Sequence, residues 1–243
     1  MNTPLNPATL PSNDTINPYA FCVDLNGQWF MQKGKMIAYY GNITFDALMA
    51  QSIAGFVAQR FSSPLYARDW VVANGEGKLM LGDRGFDLNS FDLEHGNLTV
   101  RAANLLAFEA SLQLKQSIVP GFLTLIGTGK FLASSNGPVM FVEPPIRVDP
   151  QALVGWADCP APSHHYDTGW MTGFLQAAMG RFGGVQSGEE RQFDFTGTGT
   201  VLMQSTELVM DDPMLLRQVD GLGTPQLQSL AARIQARLSS SQA

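Results

Sequence analysis

From Tyr19 onward, apolar residues arrive in short runs broken by Gly and Asn. Tyr19–Leu25, Trp29–Met31 and Met36–Thr44 come first, separated by Asn26-Gly27 and Gly34. Runs of this length predict strands, and an Asn-Gly step between two of them predicts a hairpin, because both residues tolerate positive φ. Further strands are expected at Val71–Leu81, Phe86–Leu88, Leu98–Val100, Leu105–Leu114 and Phe122–Leu132, then at Val139–Val142, Gln192–Phe195 and Thr200–Met203. Many short strands at close spacing, without long alternating helices, predict an all-β sandwich or barrel-like fold.

The period changes in three places. Phe45, Leu48, Met49, Ile53, Phe56 and Val57 recur at three- and four-residue steps, which predicts an amphipathic helix over Phe45–Phe61 despite Gly55. Trp170–Phe182 behaves similarly, interrupted by Gly173 and Gly180. The third helix opens on Thr224 as cap and Pro225 at its first position, with Leu227, Leu230, Ala231, Ile234 and Leu238 as one apolar stripe. Its Arg233 and Arg237 sit in the last turns, where the helix dipole favours cations. Ahead of all this, residues 1–18 hold Pro4, Pro7, Pro11 and Pro18 with four asparagines and read as a flexible leader. The expected organisation is therefore a leader at 1–18, a repeated β domain at 19–223, and a C-terminal helix and tail at 224–243.

Three segments share a Gly-x-Gly step leading into an apolar strand: Gly75-Glu76-Gly77-Lys78-Leu79, Gly127-Thr128-Gly129-Lys130-Phe131 and Gly197-Thr198-Gly199-Thr200-Val201. The first and third agree further upstream, where Arg60-Phe61 matches Arg181-Phe182 and Arg68-x-Trp70-x-Val72 matches Arg191-x-Phe193-x-Phe195. A recurring strand–turn–strand unit explains this, since glycine permits a tight or bulged corner and each unit needs neighbours to cover its apolar face.

The run Phe193-Asp194-Phe195-Thr196-Gly197-Thr198-Gly199-Thr200-Val201-Leu202-Met203-Gln204-Ser205 resembles the C-terminal F-T-G-x-G-x-V-x-x-Q-S signature of the altered-inheritance-of-mitochondria, or mitochondrial biogenesis, family. The Gly75 turn and Asn104-Leu105-Leu106-Ala107-Phe108 are similar to the family's earlier strands, so the likeness runs from about Tyr19 to Ser205. It implies a double-stranded β-helix-like sandwich, a fold shared with the tryptophan RNA-binding attenuator protein. It also implies assembly as a trimer or ring and a part in membrane organisation, but no chemistry. One departure is Gly183-Gly184-Val185-Gln186-Ser187-Gly188-Glu189-Glu190, where the family commonly has G-G-E-G.

Charge narrows the partners. Charged residues make up only 15% of the 243, against about 25% in a typical domain, which points to surface buried in an oligomer. The formal net charge is −6, and the five lysines (Lys33, Lys35, Lys78, Lys115 and Lys130) form no basic stripe, so nucleic acid is excluded as a partner. Cys22 and Cys159 lack any CxxC spacing and read as small buried hydrophobes, with no zinc site or disulfide framework. The N-terminus has no signal-peptide pattern and no apolar run is long enough to span a bilayer, so a cytoplasmic protein is expected.

Candidate chemistry is sparse. Asp158-Cys159-Pro160-Ala161-Pro162-Ser163-His164-His165-Tyr166-Asp167 packs two histidines, a thiol and two carboxylates, all metal-ligand types. Adjacent histidines point to opposite sides of an extended chain, however, so a solvated loop is the preferred reading. His95 beside Glu94 is a general-base pattern without a nucleophile placed near it, and reads as a turn. Gly127-x-Gly129-Lys130 is followed by Phe131 rather than Ser or Thr, and Gly180–Gly184 lacks a surrounding strand–turn–helix, so neither binds phosphate or dinucleotide by motif. No catalytic, cofactor or metal residue is assigned, and no cofactor is expected. The apolar stretches 45–61 and 170–182 are expected to fold onto the core, then to meet a partner, and last to meet a membrane surface, for which they lack lysines. The expected function is a non-enzymatic, self-associating scaffold or interaction protein with a protein partner; the alternative is a small-ligand or metal-binding β-barrel module.

Overall fold

The computed structural model describes residues 6–119, 121–158 and 192–207. The chain forms β1 (Asp14–Asn17), β2 (Ala20–Gln32) and β3 (Met36–Ala47), a helix α1 (Ala54–Arg60), then β4 (Phe61–Ser62), β5 (Trp70–Gly82) and β6 (Asp87–Arg101). There follow β7 (Leu105–Glu109), β8 (Gln113–Gln116), β9 (Phe122–Ser135), β10 (Val139–Val142), β11 (Ile146–Val148), β12 (Leu153–Ala157), β13 (Phe193–Phe195) and β14 (Thr200–Gln204). One large sheet runs β10-β14-β12-β6-β9-β7-β2-β5-β3, and β11 pairs with β13 in a second. The fold class is all-β, as the alternation predicts.

The long strands are folded across their middles. β5 pairs along its whole length with β2, from Ala20↔Gly82 to Gln32↔Trp70. Yet both its ends meet the same short turn: the Lys33 amide donates to Asp69 O at 2.8 Å, and the Gly82 amide donates to Lys35 O at 2.9 Å. A straight strand of this length would hold its ends about 40 Å apart. β5 therefore bends back on itself at Gly75-Glu76-Gly77, where the glycines take φ of +136° and +152°. Glycine is required twice over here, because a Cβ on Gly75 would run into the Asn42 carbonyl and one on Gly77 into the Tyr40 carbonyl of β3.

The other two repeat copies make equivalent corners. β9 turns at Gly127 and Gly129, also at positive φ, opposite an irregularity in β6 between Leu93 and Gly96. Gly197 and Gly199 separate β13 from β14, which lie in different sheets. The repeat thus encodes glycine corners, inside continuous β5 and β9 and between β13 and β14.

Three expectations are corrected. Asn26-Gly27 is no hairpin turn but the bent middle of continuous β2, with Gly27 opposite Gly75. The helix expected over Phe45–Phe61 is only α1; Phe45 pairs with Ala73 at the end of β3, so strand pairing overrides the helical spacing upstream of Gln51. Phe56 of α1 stacks on Phe30 at 5.4 Å, which joins an aromatic cluster with Phe108, Phe61 and Trp70. Residues 6–18, expected as a flexible leader, are tied down: Leu10 is buried with Cys22 and Met80, and β1 pairs with β2. The ties are short polar side chains, which replace backbone pairing locally. Ser12 Oγ donates to Asp24 Oδ2 at 2.8 Å, Lys78 Nζ reaches Ser12 Oγ at 2.7 Å, and the Asp24 amide donates to Asn13 Oδ1 at 2.9 Å. The stretches 170–182 and 224–243 lie outside the described residues.

The core follows from the bends. Phe21, Val23, Leu25, Leu79 and Leu81 alternate inward from β2 and β5 to meet Leu106 and Leu132. A second cluster gathers Phe122, Leu153, Trp156, Phe195 and Val201 around the third corner.

Candidate functional site

The signature that carries the resemblance is spent on folding. Phe195 and Val201 are fully buried in the second cluster, and the two glycines make its corner. Gln204 staples two turns: its Nε2 donates to Gln151 O at 3.0 Å, and its Oε1 accepts from the Asn136 amide at 3.1 Å. Ser205 Oγ donates to Pro138 O at 2.7 Å. The side chains of Gln204 and Ser205 are thus taken up by backbone groups, and the Asp194 carboxylate faces Arg147 Nε at 3.8 Å.

The residues weighed for chemistry fare likewise. His95 sits in the β6 irregularity at φ +49°, where its amide donates to Thr128 Oγ1 at 3.0 Å and its Nδ1 lies 3.2 Å from the same oxygen. It locks a corner. At Gly129 the cradle already holds an anion of the protein's own, since the Lys130 amide donates to Glu109 Oε2 at 2.9 Å. A carboxylate in that place repels phosphate. Burial pushes the Cys22 thiol above its ordinary range. Among the described residues no three His, Cys, Asp or Glu side chains gather as a metal site. Of the Asp158–Asp167 loop only Asp158 lies among the described residues, at φ +53° with its amide donating to Asn97 O at 3.2 Å. No helix among them is long and apolar enough to cross a membrane.

What remains is surface. The strand order of the large sheet ends at β3, whose outer edge has twelve residues, no Lys and no Pro, and Asp46 as its one charge. Met36, Ile37 and Tyr39 are exposed along it, Ile37 by 59%, and Tyr19 is exposed beside them. At the opposite end, β10 exposes Met140 and Phe141, and Phe141 meets Phe91 edge-on at 5.7 Å. Sequence reasoning saw the β3 run as a strand but not as an edge, because β5 inserts between β2 and β3 from far along the chain.

The second feature is a half-open cleft of about 300 Å³. A row of directly paired residues crosses it: Lys115 opposite Thr124, Thr124 opposite Thr99, and Thr99 opposite Trp156. Asn97 and Asp158 line the next row. The sequence carries no signal for this site, since four strands between residues 97 and 158 contribute one or two residues each.

Residues 11–206 match the family described as mitochondrial biogenesis AIM24. The fold is similar to the crystal structure of a protein from Streptococcus pyogenes, with a TM-score of 0.52 and 20% identity over 79% of this chain and 91% of that one. Among curated proteins, none matches the sequence.

Proposed function

Since the chain belongs to the mitochondrial biogenesis AIM24 family, we propose that it is a non-enzymatic interaction protein that self-associates through β3 and acts as a scaffold, in a biogenesis-related role of the kind the family's description names. The observation that carries this reading is the β3 edge. Sheet proteins that remain monomeric blunt such edges with lysines, prolines, bulges or short length, because an open edge is a template for another strand. β3 is twelve residues long and, apart from a register shift at Met36–Ala38, has none of these guards. Its exposed Ile37 and Tyr39 add apolar area along an edge that pairs with no further strand among the described residues. A second copy offers the same edge, so antiparallel pairing about a two-fold axis satisfies both. The low charged fraction of 15% fits a chain that covers part of its surface with itself.

Light scattering on the purified protein across the micromolar range tests this. A self-associated species is expected; a strict monomer throughout overturns the proposal. The alternative of a small-ligand module is favoured by one observation, the cleft. Its metal-binding form rests on the 159–167 segment, outside the described residues.

A further inference from the structure

The cleft carries an inference independent of self-association. Two residues of opposite charge, Lys115 and Asp158, both exposed, stand among those that line it. Among the described residues neither side chain has an ion-pair or hydrogen-bond partner, although the other ammonium groups facing a carboxylate nearby are paired, as in Lys130 with Asp92 and Lys78 with Asp24. Lys115 stands on β8 in the row of Trp156, and Asp158 lies two residues further on, so three strand spacings, about 14 Å, and an offset of about 7 Å along the strand separate their backbones. Their side chains shorten that gap without closing it.

The floor between them is prepared to donate. Thr99 Oγ1 and Thr124 Oγ1 lie 3.1 Å apart. One hydroxyl donates to the other, and the second proton is left to seek an acceptor in the cleft. Thr99 is buried and its hydroxyl is held by this bond, which fixes the pair in the floor of the cleft. Trp156, in the same row, walls the far side and is itself only 6% exposed. Beside it, Asp158 keeps a left-handed backbone conformation that few non-glycine residues adopt.

We infer that this cleft binds a small zwitterion of the free amino-acid class, with its carboxylate at Lys115 and the threonine hydroxyls and its ammonium at Asp158. A simple anion would meet Asp158 uncompensated, and a simple cation would meet Lys115. The volume of about 300 Å³ lies at the small end of ligand sites and suits such a molecule.

Saturation-transfer-difference NMR of the full chain with the twenty free amino acids, one at a time, identifies any binder, and calorimetry measures its affinity. At least one amino acid is expected to bind saturably at millimolar affinity or better. Lys115→Gln and Asp158→Asn should each weaken it about tenfold or more, the scale of a lost charge-assisted hydrogen bond. The N-acetyl derivative, which lacks the ammonium, should bind weakly to the wild type and no more weakly to Asp158→Asn. Both substitutions are at exposed positions, and an unchanged far-UV spectrum checks that each variant is folded. No saturable binding by any of the twenty, or binding that both variants retain, overturns the inference.

Discussion

Alanine in place of Gly77 tests the reading of the repeat as a set of strand corners. Gly77 sits at φ +152°, and a Cβ there would collide with the Tyr40 carbonyl and come within 3.2 Å of Gly41 Cα. Backbone strain of this kind costs about 1–3 kcal/mol. Overpacking against a backbone that cannot swing aside adds about 1–3 kcal/mol. Gly77→Ala should therefore lose about 2–6 kcal/mol, a large share of the roughly 5–15 kcal/mol that holds a domain folded. Gly27 supplies the control, because it lies on the same bend at φ +116° with nothing within 4 Å of its would-be Cβ. Gly27→Ala should lose only the strain, about 1–3 kcal/mol. Gly55, inside α1 with open space around it, should move the other way and gain about 0.5–1 kcal/mol as alanine. Urea unfolding followed by tryptophan fluorescence, at one fixed protein concentration, ranks the three variants. If Gly77→Ala is as mild as Gly27→Ala, close approach at the corner is not what demands glycine, and the account of the repeat fails.

Two further outcomes follow from one buried and one exposed carboxylate. Lys35 forms an ion pair with Asp83, whose side chain is 1% exposed and whose second oxygen has no hydrogen-bond partner among the described residues. Lys35→Met should cost about 3–5 kcal/mol by stranding that carboxylate, and Lys35→Met with Asp83→Leu should recover much of it, read by the same unfolding assay. The Ser12 hydroxyl, and then Lys78, hold the Asp24 carboxyl below its ordinary value of 3.8. The stability this lends is present above that value and is lost as pH falls through the lower folded value. Limited proteolysis with an acid-active protease should thus cut residues 6–18 faster, relative to an unstructured reference peptide, as the pH drops through this window, and a neutral protease should cut Asp24→Asn faster than the wild type at neutral pH.

The alternation of Val71–Leu81 and Phe122–Leu132 made these strands legible, and the Gly-x-Gly spacing revealed the corners, since both properties are local. Which strand lies beside which was not legible. The placement of β5 between β2 and β3 depends on pairing across some forty residues, and this turned Asn26-Gly27 from an expected hairpin into a bend. Phe45 misled because its spacing to Leu48 and Met49 fits a helix while its partner Ala73 lies in another strand. The leader misled because proline and asparagine content suggests mobility, whereas Asn13, Ser12 and Leu10 each find a partner on β2 or β5. The cleft was invisible for the same reason as the sheet order. Lys115, Thr124, Thr99 and Trp156 are unremarkable one by one and become a site only through register.

The central claim is that β3 is where copies of this chain meet. Native mass spectrometry of the wild type beside Ile37→Lys tests it most directly, because a lysine on an exposed edge position blocks strand addition without touching the core. The account predicts an oligomer for the wild type and a folded monomer for the variant. An oligomer that survives Ile37→Lys unchanged, or a wild type that is monomeric, would contradict it.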